Sequence, residues 1–550
     1  MTELSGAQIV ARCLAEQGVG AMFGVVGFPV VPIAIAAQRG GVPYFGFRNE
    51  QAASYAAGAY GYLTGRPGAC LAVSGPGMIH AIAGLANAQA NCWPMLLIGG
   101  ANDSFQNGMG AFQECPQVEA ARPFVKYAAR PDSIERLPYY VEQAVRASLS
   151  GRPGAVYLDL PNDLIVGKRE ESQVGWSPRA PEPVRAQAEP SAVERALEVL
   201  HSAERPLVIV GKGAAWARAE DEVRELLRRT RLPFLATPMG KGVVPDDDPL
   251  SVAPARSFAL QQADAVLLVG ARLNWILHFG LPPRFAKGVK VVQLDVCADE
   301  IGRNVPAEVA LVGDAKAVVA QLAAAAAREK WSYPQETPWR VDLRREIAKN
   351  QESVAAMFAD DSVPMNYYRA LREIRDSLPR DAIVCSEGAN TMDIGRTVLP
   401  NFAPRHRLDA GTFGTMGVGL GFAIAAAVAE PEKKVVAVEG DSAFGFSGME
   451  FETACRYRLP ITFVILNNNG IAGGVDDFDP ANVPVSVYTP RARYDKIAEA
   501  FGGRGFFVQK PEELGPALKD AFASPVPTIV NVMLNPRADR KPQKYGWLTR

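Results

Sequence analysis

VVAVEGDSAFGFSGMEFETACRYRLPITFVILNNNG, residues 435–470, decides the fold. VVAVEG is a short apolar run ending in Gly, the pattern of a strand buried on both faces of a parallel sheet. Asp441-Ser442 follow, then helical spacing from Phe446 to Arg456. ITFVIL is a second apolar, β-branched strand that stops at Asn467-Asn468-Asn469-Gly470. The whole has the length of one βαβ unit, about 30 residues. Parallel sheets hold ligands beyond the carboxyl ends of their strands, and Asp441 and Asn468 each follow one strand. A carboxylate, an amide oxygen and a backbone carbonyl near Gly470 are hard oxygen donors that suit Mg²⁺. The backbone N–H groups after Gly440, through Asp441, Ser442 and Ala443, and those of Gly470-Ile471-Ala472, suit an anion. A metal bridging the chain to a diphosphate follows from this donor set. Read alone, the same Asp and Asn also suit an ordinary helix cap and turn.

Working outward, the 550-residue chain is long enough for two to four domains. It is 48% hydrophobic and 21% charged, so a large core is expected. A net charge of −1 argues against a nucleic-acid partner. Seven scattered Cys with no CxxC pair suit buried thiols in a reducing compartment rather than disulfides or zinc. No signal-peptide pattern, membrane-length apolar run or SKL-type ending is read, so the expectation is a soluble cytoplasmic protein with no membrane partner.

Strand and helix patterns alternate from residue 1 to about 170, from about 191 to 325 and again from about 366. Polar, Pro-rich residues 171–190 and a polar, mixed stretch 326–365 read as linkers. The expectation is an α/β protein of three doubly wound parallel-sheet domains, over residues 1–172, 190–328 and 364–550. VPYFGFRNE reads as a strand running to Glu50, with an Ala-rich helix after it. His80 reads as a hydrogen bonder at a helix start.

Gly440-Asp441-Ser442 with Asn467-Asn468 resembles the motif of thiamine diphosphate enzymes. Arg48-Asn49-Glu50-Gln51-Ala52-Ala53 resembles their R-(N/H)-E-x-x-A pattern. That likeness implies a first-domain carboxylic acid, Glu50, sharing a proton with pyrimidine N1′ and favouring the 4′-imino tautomer, which removes the C2 proton. The turn Gly411–Gly419 resembles the segment that sets an apolar residue, here Met416, under the bend of the cofactor, with the Gly414 carbonyl accepting from the 4′-amine. The segment Glu387-Gly388-Ala389-Asn390-Thr391, after the strand DAIVCS, is a third strand-end turn expected to line the same site. Ser74-Gly75-Pro76-Gly77 matches a turn of the family.

Four finer stretches resemble the branch that holds 2-hydroxyacyl-CoA lyase and oxalyl-CoA decarboxylase: residues 23–30 with Val26 and Gly27, 110–117, 211–215 and 271–275. Phe112-Gln113-Glu114 looks like the lyase version, making Gln113 and Glu114 candidate catalytic groups. The lyase reading implies cleavage of a 2-hydroxyacyl-CoA to formyl-CoA and an aldehyde or ketone; the decarboxylase is the alternative. Implied with it are thiamine diphosphate, Mg²⁺ on Asp441, Asn468 and Gly470, ADP or the CoA nucleotide in the middle domain, and a homodimer at minimum or a homotetramer. Arg152, Lys212, Arg272 and Asp295 are the nucleotide candidates, and Arg405 and Arg407 possible CoA phosphate partners. Ala472, where relatives usually carry Tyr, is expected to widen the pocket or remove a polar contact. The basic tail 537–550 is expected to form a lid.

Overall fold

The structure is a computed structural model that describes residues 2–541; residues 542–550 of the lid expected over 537–550 lie outside it. Three parallel sheets follow one another along the chain. The first has the spatial order Tyr44–Gly46, Met22–Gly24, Gly68–Ala72, Met95–Ala101, Ala155–Pro161, Tyr127–Ala129. The middle one orders Phe234–Ala236, Pro206–Val210, Ala265–Val269, Lys290–Asp295, Val309–Val312. The third orders Arg407–Asp409, Ile383–Glu387, Val435–Gly440, Thr462–Asn467, Thr528–Met533, Arg504–Val508. Every pairing within these three is parallel. Among the described residues, no helix is long and apolar enough to cross a membrane.

The first and third sheets share one hydrophobic core, while the middle sheet keeps its own. The shared core is possible because its helices are built of small residues. Glu50–Thr64 packs between Pro76–Asn91 and Gly419–Ala429. A Cβ on Gly421 would stand 2.7 Å from the Ala52 carbonyl, and one on Gly84 would collide with Ser54. Backbones meet there at distances that larger residues would forbid. Trp93 and Phe422, 5.2 Å apart and edge-on, fill the remaining space.

Local structure departs from the sequence reading in three places. The strand before Glu50 ends at Gly46, and Glu50 is the first residue of a helix capped by the Asn49 side chain. The helix expected from Phe446 starts at Asp441 and breaks into Asp441–Ser447 and Glu450–Arg456. The stretch 326–365 is not a plain linker but carries the 21-residue helix Pro338–Phe358. Thr337 caps it and Pro338 opens it. Its Trp339, Leu343 and Ile347 pack on the middle core, and its Val354, Met357 and Phe358 on the third. Apolar residues at helical spacing thus strap two domains together, a pattern hidden by the charged residues between them.

Trp339 is buried, stacks on Phe258 at 5.9 Å and donates to the Pro206 carbonyl at 3.1 Å. Trp339→Ala is expected to destabilise the chain by about 3–5 kcal/mol, read as a lowered midpoint in urea with the middle-domain fluorescence changing first.

Candidate active site

Four turns converge where the third sheet's strands end. Gly388 (φ 92°) brings the start of the helix Ala389–Val398 against Gly440, and a Cβ on Gly388 would lie 3.2 Å from the Gly440 nitrogen. Thr391 Oγ1 lies 3.4 Å from where a Gly440 Cβ would be. Asn390 and Asn468 both donate to the Ala472 carbonyl, at 3.1 and 3.0 Å. Ser442 and Tyr488 share a hydroxyl contact at 3.3 Å. Asn390, Thr391, Gly440, Asp441, Ser442, Ala443, Asn468, Gly470, Ile471 and Ala472, all expected around one ligand, therefore meet at one place.

Asp441 is 2% exposed. Its carboxylate accepts from the N–H groups of Ser442 at 2.8 Å and Gly470 at 3.0 Å, and among the described residues no ion pair reaches it. Burial pushes its carboxyl up to about 7, against the pull of those N–H groups. A buried carboxylate without a counter-charge, beside an amide oxygen and a run of backbone carbonyls, fits a hard divalent cation. The described residues hold no cluster of three or more His, Cys, Asp or Glu side chains, so such a cation would draw its other ligands from amide and carbonyl oxygens and from the bound molecule. The Gly470 N–H, expected to face an anion, instead donates to Asp441 and Asn468.

The turn 411–419 is anchored from below by Glu387. Its two carboxylate oxygens accept from the N–H groups of Gly417 and Gly419. Gly414 (φ 70°) and Gly417 (φ 87°) supply left-handed backbone, and half-buried Met416 stands between them. Glu387 is also the register neighbour of Glu439 on the adjacent strand, and both are fully buried. Glu439 Oε1 and Glu387 Oε2 lie 2.3 and 2.8 Å from one point, the place of a Gly419 Cβ. Burial raises both carboxyls, and the Glu387 charge raises Glu439 further. Sequence reading did not single out this pair, although acids at matching ends of two apolar strands were a usable signal.

In the first domain, the turn 73–77 is the hub. A Cβ on Gly75 would meet the Gln113 carbonyl at 2.6 Å, one on Gly27 would meet Val73, and one on Gly77 would lie 3.1 Å from Glu50 Oε1. Ser74 donates to Gln113 Oε1 at 3.1 Å, and Gln113 has φ 56°. His80 Nδ1 lies 3.2 Å from Glu50 Oε2, so His80 is a hydrogen bonder as expected, from inside its helix. Val26 and Phe28 are exposed beside these groups, with Phe28 packed on Phe112. Glu114, the other candidate catalytic group of this segment, is turned onto its own loop. Its carboxylate accepts from Gly108, Gly110 and Ala111, and these amides hold its carboxyl below the usual range. It organises its own loop.

The nucleotide candidates divide. Arg152, Lys212, Arg272 and Asp295 line one cavity of about 390 Å³ between the domains. Arg152 pairs with Asp295 at 3.0 Å and Glu300 at 3.1 Å. Lys212 donates to Asn91 at 3.3 Å, and burial lowers its ammonium to about 7. Arg272 donates to Thr412 Oγ1 at 3.0 Å and Trp275 to the Thr412 carbonyl at 2.8 Å, which ties the cavity wall to the Met416 turn. Arg405 and Arg407, expected as possible CoA phosphate partners, do not line this cavity. Arg405 is held by Glu220 at 3.1 Å, and Arg407 is fully buried 3.7 Å from Asp409.

Because the folded state raises the Glu387 carboxyl, the stability it contributes is present at low pH and is lost as pH climbs past neutrality. Glu387→Gln is expected to lower the thermal midpoint at about pH 6 through the lost N–H partner. It is also expected to flatten the fall of that midpoint between about pH 6 and about pH 9, as calorimetric scans would show.

Comparison with known proteins agrees with this arrangement. Family models match residues 4–120 (thiamine pyrophosphate enzyme, N-terminal TPP binding domain), 193–322 (central domain) and 387–532 (C-terminal TPP binding domain). The chain is 52% identical over 563 residues to 2-hydroxyacyl-CoA lyase 1 of Homo sapiens, covering 100% of this chain and 97% of that protein. It is 47% identical over 559 residues to 2-hydroxyacyl-CoA lyase of Oryza sativa subsp. japonica, covering 98% and 96%. It is 42% identical over 542 residues to oxalyl-CoA decarboxylase of Escherichia coli (strain K12), covering 97% and 95%. With three matched domains in the order its three sheets display, the chain belongs to the thiamine pyrophosphate enzyme family.

Proposed function

We propose that the protein is a Mg²⁺- and thiamine diphosphate-dependent carbon–carbon lyase. It cleaves a 2-hydroxyacyl-CoA to formyl-CoA and an aldehyde or ketone, and in reverse condenses formyl-CoA with a carbonyl compound. The observation that carries the reading is the 52% identity over the full chain to a 2-hydroxyacyl-CoA lyase. The site chemistry supports it. Asp441 and Asn468, with a carbonyl of the segment Gly470–Ala472, would hold Mg²⁺, and the strand-end turns at 388–391 and 440–443 would enclose the diphosphate. The bound coenzyme would supply a carbanion that attacks the thioester carbonyl and stores the electron pair while the carbon–carbon bond breaks. Glu50 would keep a proton at the pyrimidine nitrogen, and the Gly414 carbonyl and Met416 would set the pyrimidine against the thiazolium.

Gln113 distinguishes the two branches. Its amide, steadied by Ser74, is neutral and suits a hydroxyl or aldehyde oxygen, whereas an acid there would repel a second carboxylate. Oxalyl-CoA decarboxylase is the second reading, supported by the 42% identity. We further read the cavity of Arg152, Lys212, Arg272 and Asp295 as the place of ADP or the CoA nucleotide. The active unit is read as a dimer at least, with Glu50 of one protomer serving the other, and Ala472 as a widening of the acyl pocket.

Supplying a 2-hydroxyacyl-CoA and oxalyl-CoA separately, and assaying formyl-CoA, aldehyde and CO₂, is expected to give aldehyde from the first and little CO₂ from the second. Dominant release of CO₂ reverses the assignment. In titration calorimetry Asp441→Ala is expected to abolish Mg²⁺-dependent heat from thiamine diphosphate. Glu50→Gln is expected to retain that heat yet lose turnover by about 10²-fold or more.

A further inference from the structure

Glu50 is placed by the four residues before it, and their backbone N–H groups can be accounted for one by one. The Gly46 N–H donates to the Tyr457 hydroxyl at 2.6 Å, and the Phe47 N–H to the Gly24 carbonyl at 2.7 Å. The Arg48 N–H donates to both oxygens of Glu450, at 3.1 and 3.2 Å, and the Asn49 N–H to Glu450 Oε1 at 3.0 Å. Three of the four therefore end on one helix of the third domain, Glu450–Arg456 and the Tyr457 that follows it. Glu450 is 1% exposed. Thr453 donates to its other oxygen at 2.7 Å, and the neighbouring Arg456 pairs with Glu452 instead. Phe45 packs against Tyr457 at 5.0 Å, closing the contact from the side.

A buried carboxylate whose partners are a hydroxyl and two backbone amides of another domain contributes little to the core that houses it; an apolar residue would be less costly there. Its effect is geometric. Two amides received by one carboxylate fix both the direction and the distance of a segment. The Asn49 side chain then caps the helix that begins at Glu50, so any shift at Arg48-Asn49 passes to Glu50. On the reading above, in which Glu50 is the acid at the pyrimidine, we propose that Glu450 is the positioning residue for Glu50: it latches the Arg48-Asn49 backbone and sets where the acid stands. Burial pushes the Glu450 carboxyl up to about 7, with the Thr453 hydroxyl and the two amides drawing it back, as expected for a group desolvated to make this contact. The helix Asp441–Ser447 is followed after Gly448-Met449 by Glu450–Arg456, so one short segment carries both the proposed metal ligand and the latch.

The test uses the full chain and two variants, Glu450→Gln, which keeps one acceptor, and Glu450→Ala, which keeps none. In the protein without coenzyme, amide hydrogen exchange at residues 47–50 is expected to be slow in the wild type, faster in the Gln variant and fastest in the Ala variant. In the loaded enzyme, kcat is expected to fall on the order of ten- to a hundred-fold while KM for the acyl-CoA and the affinity for thiamine diphosphate hold. The near-ultraviolet circular dichroism band of the imino tautomer is expected to weaken in parallel. Rapid exchange at Arg48 and Asn49 in the wild type overturns the latch without any variant. So does a Gln variant with a lowered thermal midpoint but unchanged kcat and dichroism below that midpoint. Glu50→Gln run alongside separates the two ideas: full turnover by that variant refutes the role given to Glu50, whereas a dead Glu50→Gln beside a normal Glu450→Gln refutes only the latch.

Discussion

A carboxylate taken out of water without a counter-charge is the constraint on which this structure depends. Asp441 sits at the end of a central strand, met by backbone amides and, among the described residues, by no cation. Such a group is costly unless something of opposite charge arrives. On the function proposed above it would arrive with the ligand, and the surrounding turns suit that: two glycines without side chains at 388 and 440, two asparagines turned onto one carbonyl, and a hydroxyl pair at Ser442 and Tyr488.

The same economy recurs away from the site. Glu387 holds a glycine-rich turn by two amides, Glu450 holds a segment of another domain by two amides, and Glu114 holds its own loop by three. Turns that must present backbone atoms to a ligand cannot be pinned by large side chains. Carboxylates bonding to their N–H groups pin them from behind instead. Around them the domains are fastened by different means. Small residues let the helices of the first and third domains touch, while the helix Pro338–Phe358 straps the middle domain to the third with a stripe of large ones.

Much of this was legible in the order of residues. Short apolar, β-branched runs ending in Gly or Asn at 435–440 and 462–467 have the pattern of strands buried on both faces of a parallel sheet, and that is what they form. The ligand-bearing turns follow from them, since a parallel strand's carboxyl end is where the chain must leave the sheet. Where the reading failed, competing local signals misled it. The charged surface of 338–358 masked a helix that only its packing on two domains reveals.

The sequence by itself determined three α/β units, the strand ends that carry Asp441 and Asn468, and the family to which they belong, because periodicity and short motifs are properties of neighbouring residues. Only the tertiary structure decided that Glu439 faces Glu387, that Arg272 reaches Thr412, and that Glu450 receives the amides before Glu50. These pairs are separated by tens to hundreds of positions, and no local pattern encodes which buried charge will find which amide. That choice is made when the sheets pack and each buried polar group must take the partner within its reach.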